Sequence, residues 1–199
     1  MSIHRGRAAA DPAGHEPELA GALTNLSALR LEIGLYQEGC KTSEEAVSIT
    51  RRLAGVNPAV FEPELAGTLA NLRICLVELG SMRRAREACT EAVTVHRWLA
   101  QTSPDRFEPQ LAAGLVNLAF HLHHDGQHAQ ARRTTQEALA LYEGMRARNA
   151  PFPTADYAVC LDNVSMSLHT ADEPAAAMAP AADAVRVRRG LASSGSTAC

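Results

Sequence analysis

The chain is poor in aromatic residues, which make up 4 % of its 199 positions, and Lys41 is its one lysine. Arginine stands almost everywhere else that a fixed cation is needed, which reads as the coding bias of a GC-rich bacterial genome. Long apolar runs are missing. Nothing approaches the roughly 18–20 apolar residues that span a bilayer, and no apolar run follows Met1 as in a secretory signal. The reading is therefore of a cytoplasmic protein without a membrane span. Charge is nearly balanced, at −3. That excludes the strongly basic surface a polyanion binder needs, so no nucleic-acid partner is expected.

Cysteine is present without a pattern. Cys40, Cys75, Cys89, Cys160 and Cys199 are odd in number and match neither a metal nor a disulfide spacing. Cys75, Cys89 and Cys160 fall within helical patterns, where a free thiol serves as a small apolar residue. No Gly-rich phosphate loop, nucleophile elbow or Cys-His pair with an orienting third group occurs. His121, His123, His124 and His128 cluster, and His121 shares a helical face with His124. Gly126 interrupts the helix before His128, so the cluster reads as a polar helix end facing the negative dipole terminus. No metal site, no cofactor and no catalytic residue is assigned.

What the chain does have is a period. Asn25, Asn71, Asn117 and Asn163 are each 46 residues apart, and Leu26, Leu72, Leu118 and Val164 follow them. The same step joins Ala46, Ala92, Ala138 and Ala184. It joins Gly34, Gly80 and Gly126, then lands on Asp172. A fixed period of this size signals stacked like units, none of which can bury its apolar face alone.

Each unit reads as two helices. Leu65, Leu69, Leu72, Leu76 and Leu79 form an apolar stripe at helical spacing. Leu111, Leu115, Leu118 and Leu122 repeat it, as do Tyr157, Leu161, Val164 and Leu168, and, with Arg30 as an interruption, Leu19, Leu23, Leu26 and Ile33. The first helix is placed after His15-Glu16-Pro17, Phe61-Glu62-Pro63 and Phe107-Glu108-Pro109, with proline in the first turn. Glycine ends it in the left-handed region. The second helix carries small residues: Ala85, Ala88 and Ala92, then Val95 and Leu99, with counterparts in the later units. It stops before Asn57-Pro58 and Ser103-Pro104, because a residue before proline avoids the helical region. Repeats are set at about 15–60, 61–106, 107–152 and 153–192, after a flexible leader over 1–14 and before a disordered tail over 193–199. In the last repeat Pro180 predicts a second helix that starts late or kinks.

The spacing Asn-Leu, Gly, Ala, Ala resembles the tetratricopeptide repeat (TPR): Asn71-Leu72, Gly80, Ala85 and Ala92 in one unit, and Asn117-Leu118, Gly126, Ala131 and Ala138 in the next. The usual period is about 34 residues, so helices or linkers must be longer here, as in kinesin-light-chain-like and actinobacterial arrays. The resemblance covers residues 16 to about 192. It implies an all-α fold, an α-solenoid coiling as a right-handed superhelix of about four helix-turn-helix repeats. It also implies that the first helix of each repeat lines a concave face that binds a protein or peptide.

The resemblance nominates Asn25, Asn71, Asn117 and Asn163 as contacts to a peptide backbone, since a side-chain amide both donates and accepts. The alternative is that they satisfy backbone groups between repeats. One turn on lie Ala28, Ile74, Phe120 and Met166, and a further turn on Glu32, Glu78, His124 and Thr170. Of these, Ile74, Phe120, Glu78 and His124 join the asparagines as partner-binding candidates. These positions lack lysine and arginine, so no clamp for acidic chain ends is expected. Arg51, Arg52 and His96-Arg97 read as helix-end charges, and Trp98 as a self-association contact if exposed. The function expected is a noncatalytic scaffold binding a protein or peptide. Alternatives are a self-assembling module that forms a homo-oligomer, or the sensor part of a regulatory system.

Overall fold

The computed structural model describes residues 12–195. They form eight α-helices: α1 (Pro12–Glu32), α2 (Tyr36–Val56), α3 (Pro58–Glu78), α4 (Met82–Thr102), α5 (Pro104–His124), α6 (His128–Ala147), α7 (Thr154–Thr170) and α8 (Pro174–Gly195). No strand occurs among the described residues. The leader and tail lie outside them, except where α1 starts at Pro12 and α8 ends at Gly195.

The long period goes into the helices. α1 to α5 each have 21 residues, joined alternately by three-residue turns and by the single residues Asn57 and Ser103. Pro58 and Pro104 take the first helical position, so the helices begin five residues before Pro63 and Pro109, which the sequence pattern had placed at the start. Asn57 (φ −138°) and Ser103 (φ −147°) hold the extended backbone that a following proline imposes. Pro17, Pro63 and Pro109 then fall inside helices. Each lacks the N–H that would bond the carbonyl four residues back. For Pro63 and Pro109 those carbonyls belong to Ala59 and Asp105, both on exposed residues where water can serve them. The same holds for Pro180 and exposed Ala176, and α8 starts at Pro174 rather than late.

The turn after each first helix is one motif used four times. Leu35, Ser81, Gln127 and Glu173 donate their backbone N–H to Arg30, Leu76, Leu122 and Leu168, five residues back. This closure needs a left-handed residue before the donor. Gly34, Gly80 and Gly126 supply it at φ 77°, 69° and 73°, and Asp172 adopts φ 60° without being glycine. Asn149 (φ 52°) closes α6 in the same way, with Ala150 donating to the Met145 carbonyl.

The chain divides into two compact halves at Leu99/Ala100. In the first half α1 packs on α2, α2 on α3, and α1 on α3. In the second α5 packs on α6, α6 on α7, α7 on α8, and α5 on α7. The leucine stripes form the core: Leu65, Leu69, Leu72 and Leu76, and Leu111, Leu115, Leu118 and Leu122, are all buried. Each such side chain contributes about 1.5–3 kcal/mol when taken out of water. Ile33 and Leu79, the last steps of their stripes, are exposed because the helices end one residue earlier. Ala46, Ala92, Ala138 and Ala184 are buried at the close contacts of the second helices. Tyr142, Phe152 and Tyr157 form an aromatic cluster with ring centroids 5.5–5.7 Å apart.

Candidate functional site

The first helices of the repeats carry the candidate site, and their asparagines are held by neighbours. The Asn71 amide nitrogen on α3 donates to the Ser27 hydroxyl (3.1 Å) and to the Thr24 carbonyl (3.4 Å) on α1. Asn163 on α7 donates to the Val116 carbonyl on α5 at 3.4 Å. Each reaches back 47 residues, to the residue just before the preceding asparagine of the series. Thr24 and Thr68 hydroxyls meet beside the first bond at 3.2 Å. For Asn71 and Asn163 the amide N–H is therefore used between helices, the second of the two readings the sequence left open. Asn117 is half-buried, and Asn25 is exposed.

One turn further on the helices present apolar side chains to solvent. Ile74, Phe120 and Met166 are exposed, and Ala28 is half-buried. Glu32, Glu78, His124 and Thr170, the next turn, are all exposed. In the second half this places Phe120 and Met166 at equivalent positions on two helices that pack together, α5 and α7. The Phe120 ring meets His124 edge-on, with centroids 5.5 Å apart and planes at 87°, and His121 at 5.6 Å. In the first half Ala28 and Ile74 hold the same positions on α1 and α3, with Glu32 and Glu78 beyond them. The two faces differ in character: aromatic with histidine in the second half, aliphatic with acid in the first.

A feature that sequence reading missed lies along the second helices. Arg51 forms a two-point ion pair with Glu91, both N–O distances 2.8 Å, and Arg84 returns from α4 to Glu44 on α2. Arg52 pairs with Glu16 at 2.6 Å, Arg148 with Glu108, Arg188 with Asp162, and Arg132 with Glu173 at 3.5 Å. The signal was there: Arg51/Glu91, Glu44/Arg84 and Glu108/Arg148 are each separated by 40 residues. Exposed pairs of this kind contribute about 0–1 kcal/mol each. Arg51, Arg84 and Glu91 line an open pocket of about 200 Å³ together with Leu69, Leu72 and Leu76.

The histidines arrange differently from the predicted face. His121 is buried, and the close pair is His123 with His128, Nδ1 to Nδ1 3.3 Å across the turn. Burial, and then the charges of His128 and His124, hold His123 below the ordinary histidine value. No group of three metal-ligating side chains occurs among the described residues. Cys40, Cys75, Cys89 and Cys160 are buried and form no disulfide, and Cys199 lies outside the described residues. Burial pushes Cys40 and Cys89 up to about 11 and Cys160 up to about 12. Thiols so placed stay protonated at neutral pH and are poor nucleophiles. Trp98 is exposed. Among the described residues no helix is long and apolar enough to cross a membrane.

No family model matches this sequence, and no curated protein matches it. Solved structures do. The chain is similar to BtubC (BKLC) from P. vanneervenii, with a TM-score of 0.70 and 20 % identity over 88 % of this chain and 65 % of that one. It is similar to the apo form of RapI, with a TM-score of 0.72 and 11 % identity over 88 % of this chain and 58 % of that one. A kinesin-light-chain protein of Podosopora anserina with nearly identical TPR-like repeats matches with a TM-score of 0.62 and 16 % identity, over 88 % of this chain and 77 % of that one. The chain thus spans less than two thirds of BtubC and of RapI. At these identities the likeness is one of fold, and the fold is the all-helical, helix-pair architecture of TPR-like repeat proteins.

Proposed function

We propose that the protein is a noncatalytic scaffold that binds a protein or peptide segment across the first helices of its repeats. The observation that carries this reading is the contrast along those helices. Their leucine stripes are buried, while Phe120 and Met166 stay exposed at one repeat position on two adjoining helices. An exposed apolar patch rimmed by polar groups favours a partner's apolar side chains. Phe120 and Met166 form the anchor, and His124, Thr170 and the remaining polar capacity of Asn117 and Asn163 form the rim. In the first half Ile74 on α3 offers a weaker anchor, with Asn25 exposed on α1, and Glu78 and Glu32 favouring a basic residue in the partner. The asparagines act chiefly by holding the helices at the spacing the ligand meets.

The test is a selection of extended peptides from a display library on the whole chain, followed by titration of the winners against variants. Phe120→Ala should weaken binding about tenfold or more, the value of burying an aromatic side chain. Lys41→Ala, away from these helices, should leave it unchanged. Equal affinity for the wild type and for Phe120→Ala, Met166→Ala would overturn the assignment.

A further inference from the structure

The turn between α5 and α6 carries a pair of side chains unlike those at the same places in the other repeats. His123, in the last turn of α5, and His128, the first residue of α6, meet across Gly126. Their Nδ1 atoms are 3.3 Å apart, with ring centroids 4.8 Å apart and ring planes at 60°. One repeat earlier the two positions hold Val77 and Met82, and in the first repeat Leu31 and Tyr36, all half-buried. Apolar residues thus serve these positions where packing alone is at stake. In the fourth repeat His169 stands with Pro174, so the third repeat alone has histidine at both. The helix dipole accounts for one of the two rings and not the other. It favours a positive ring at the end of α5 and disfavours one at the start of α6, where His128 stands. Burial and the neighbouring His128 and His124 also favour the neutral form of His123.

Two neutral imidazoles with their Nδ1 atoms this close can share one proton in an N–H···N bond, or hold one metal ion between them. A zinc–nitrogen bond is about 2.0–2.1 Å, so two nitrogens 3.3 Å apart subtend about 104–111° at the metal, close to the tetrahedral angle. We propose that His123 and His128 form a binding site for one divalent transition-metal ion, zinc or copper, held by both Nδ1 atoms at the α5–α6 turn, with water in the remaining positions. Imidazole nitrogen suits these ions, whereas magnesium and calcium take oxygen ligands. Each ring then carries its proton on Nε2, so the shared-proton pair and the metal-bound pair differ by a tautomer shift in one ring. The backbone sets the bite. Gly126 is left-handed at φ 73°, and Gln127 donates its N–H to the Leu122 carbonyl at 2.9 Å, which closes the turn. His128 is exposed and His123 half-buried, so an ion reaches the pair from solvent. Among the described residues no third ligand completes the set, which makes the site an exchangeable one. The bound ion ties the end of α5 to the start of α6.

Isothermal titration of the whole chain with zinc chloride, in a buffer that does not bind metal, tests this. One ion should bind per chain, and magnesium chloride should not bind. Copper(II) should bind more tightly than zinc. Its electron paramagnetic resonance spectrum should show coupling to two imidazole nitrogens in the wild type and to one in either single variant. His123→Gln and His128→Gln should each weaken zinc binding about tenfold or more, since one of the two protein ligands is lost. The pair His123→Val with His128→Met copies the second repeat, so it should keep the fold, checked by circular dichroism, and lose the ion. His169→Gln should bind as the wild type does. Saturating zinc should raise the melting temperature of the wild type and leave that of the paired variant unmoved, because the folded chain holds the two rings together. A wild type that binds no ion, a paired variant that binds as the wild type does, or an equal loss in His169→Gln would overturn the proposal. Peptide binding at Phe120 and Met166 uses neither His123 nor His128, so failure here leaves that reading standing.

Discussion

Asn71 reaches from α3 to the Thr24 carbonyl on α1, and Asn163 makes the equivalent bond to Val116. A residue spaced by the repeat thus bonds the residue beside its own predecessor, which locks neighbouring first helices in register. Asn71→Ala and Asn163→Ala should each cost about 0.5–1.5 kcal/mol, the net worth of the lost bond between helices, since the acceptor carbonyls keep their partners within their own helices. Asn25→Ala, at an exposed position with no such bond among the described residues, should change stability by less than about 0.5 kcal/mol. Chemical denaturation of the three variants decides this; equal losses at all three would refute the register role.

Tyr142 carries the opposite imbalance. It is fully buried, and its hydroxyl finds no hydrogen-bond partner among the described residues. Burial raises its ionisation well above the ordinary tyrosine value. Tyr142→Phe should keep the ring contacts with Phe152 and Tyr157 while removing the stranded hydroxyl. The melting temperature should hold or rise, by up to about 1 kcal/mol of stability. A clear drop would mean the hydroxyl is satisfied.

Asp172 sits at φ 60°, where glycine stands in the three preceding repeats. A left-handed non-glycine residue costs about 1–2 kcal/mol, and glycine gives back part of that gain through its freer unfolded chain. Asp172→Gly should therefore stabilise the protein by about 0.5–1 kcal/mol. Gly80→Ala should do the reverse, and paired thermal melts read both signs.

The buried thiols set an alkaline limit. Cys40, Cys89 and Cys160 are raised from 9.0 to about 11, 11 and 12 by burial. A folded-state value above the unfolded one means the folded chain holds its protons longer. This contribution is complete below about pH 9 and is lost as pH rises toward 11–12. Unfolding free energy should be flat across neutral pH in this respect and fall above pH 9. Replacing Cys160 with alanine should flatten part of that fall, and an unchanged pH slope would show that Cys160 does not contribute.

Much of the fold could be read from the chain, because a stacked repeat must place the same chemistry at the same interval. The turn glycines, the leucine stripes and the buried alanines all stood where the 46-residue step put them. In the second and third repeats the helix starts were misplaced by five residues, because proline suits a first turn and each of these repeats offers two prolines. Only the backbone at Asn57 and Ser103 shows which of them caps the helix. The candidate site was less legible. Phe120 and Leu118 are both apolar and two residues apart, yet one is exposed and the other buried.

Period, helix pairing and the identity of the core were thus determined by sequence, since they follow from local propensity and apolar spacing repeated along one dimension. The use of each polar side chain was decided in three dimensions. Whether an asparagine amide meets a ligand or the Thr24 carbonyl, and whether Arg51 meets water or Glu91, depends on which helix lies within about 3 Å. That distance is set by packing between elements, not by the residues' own neighbours in the chain.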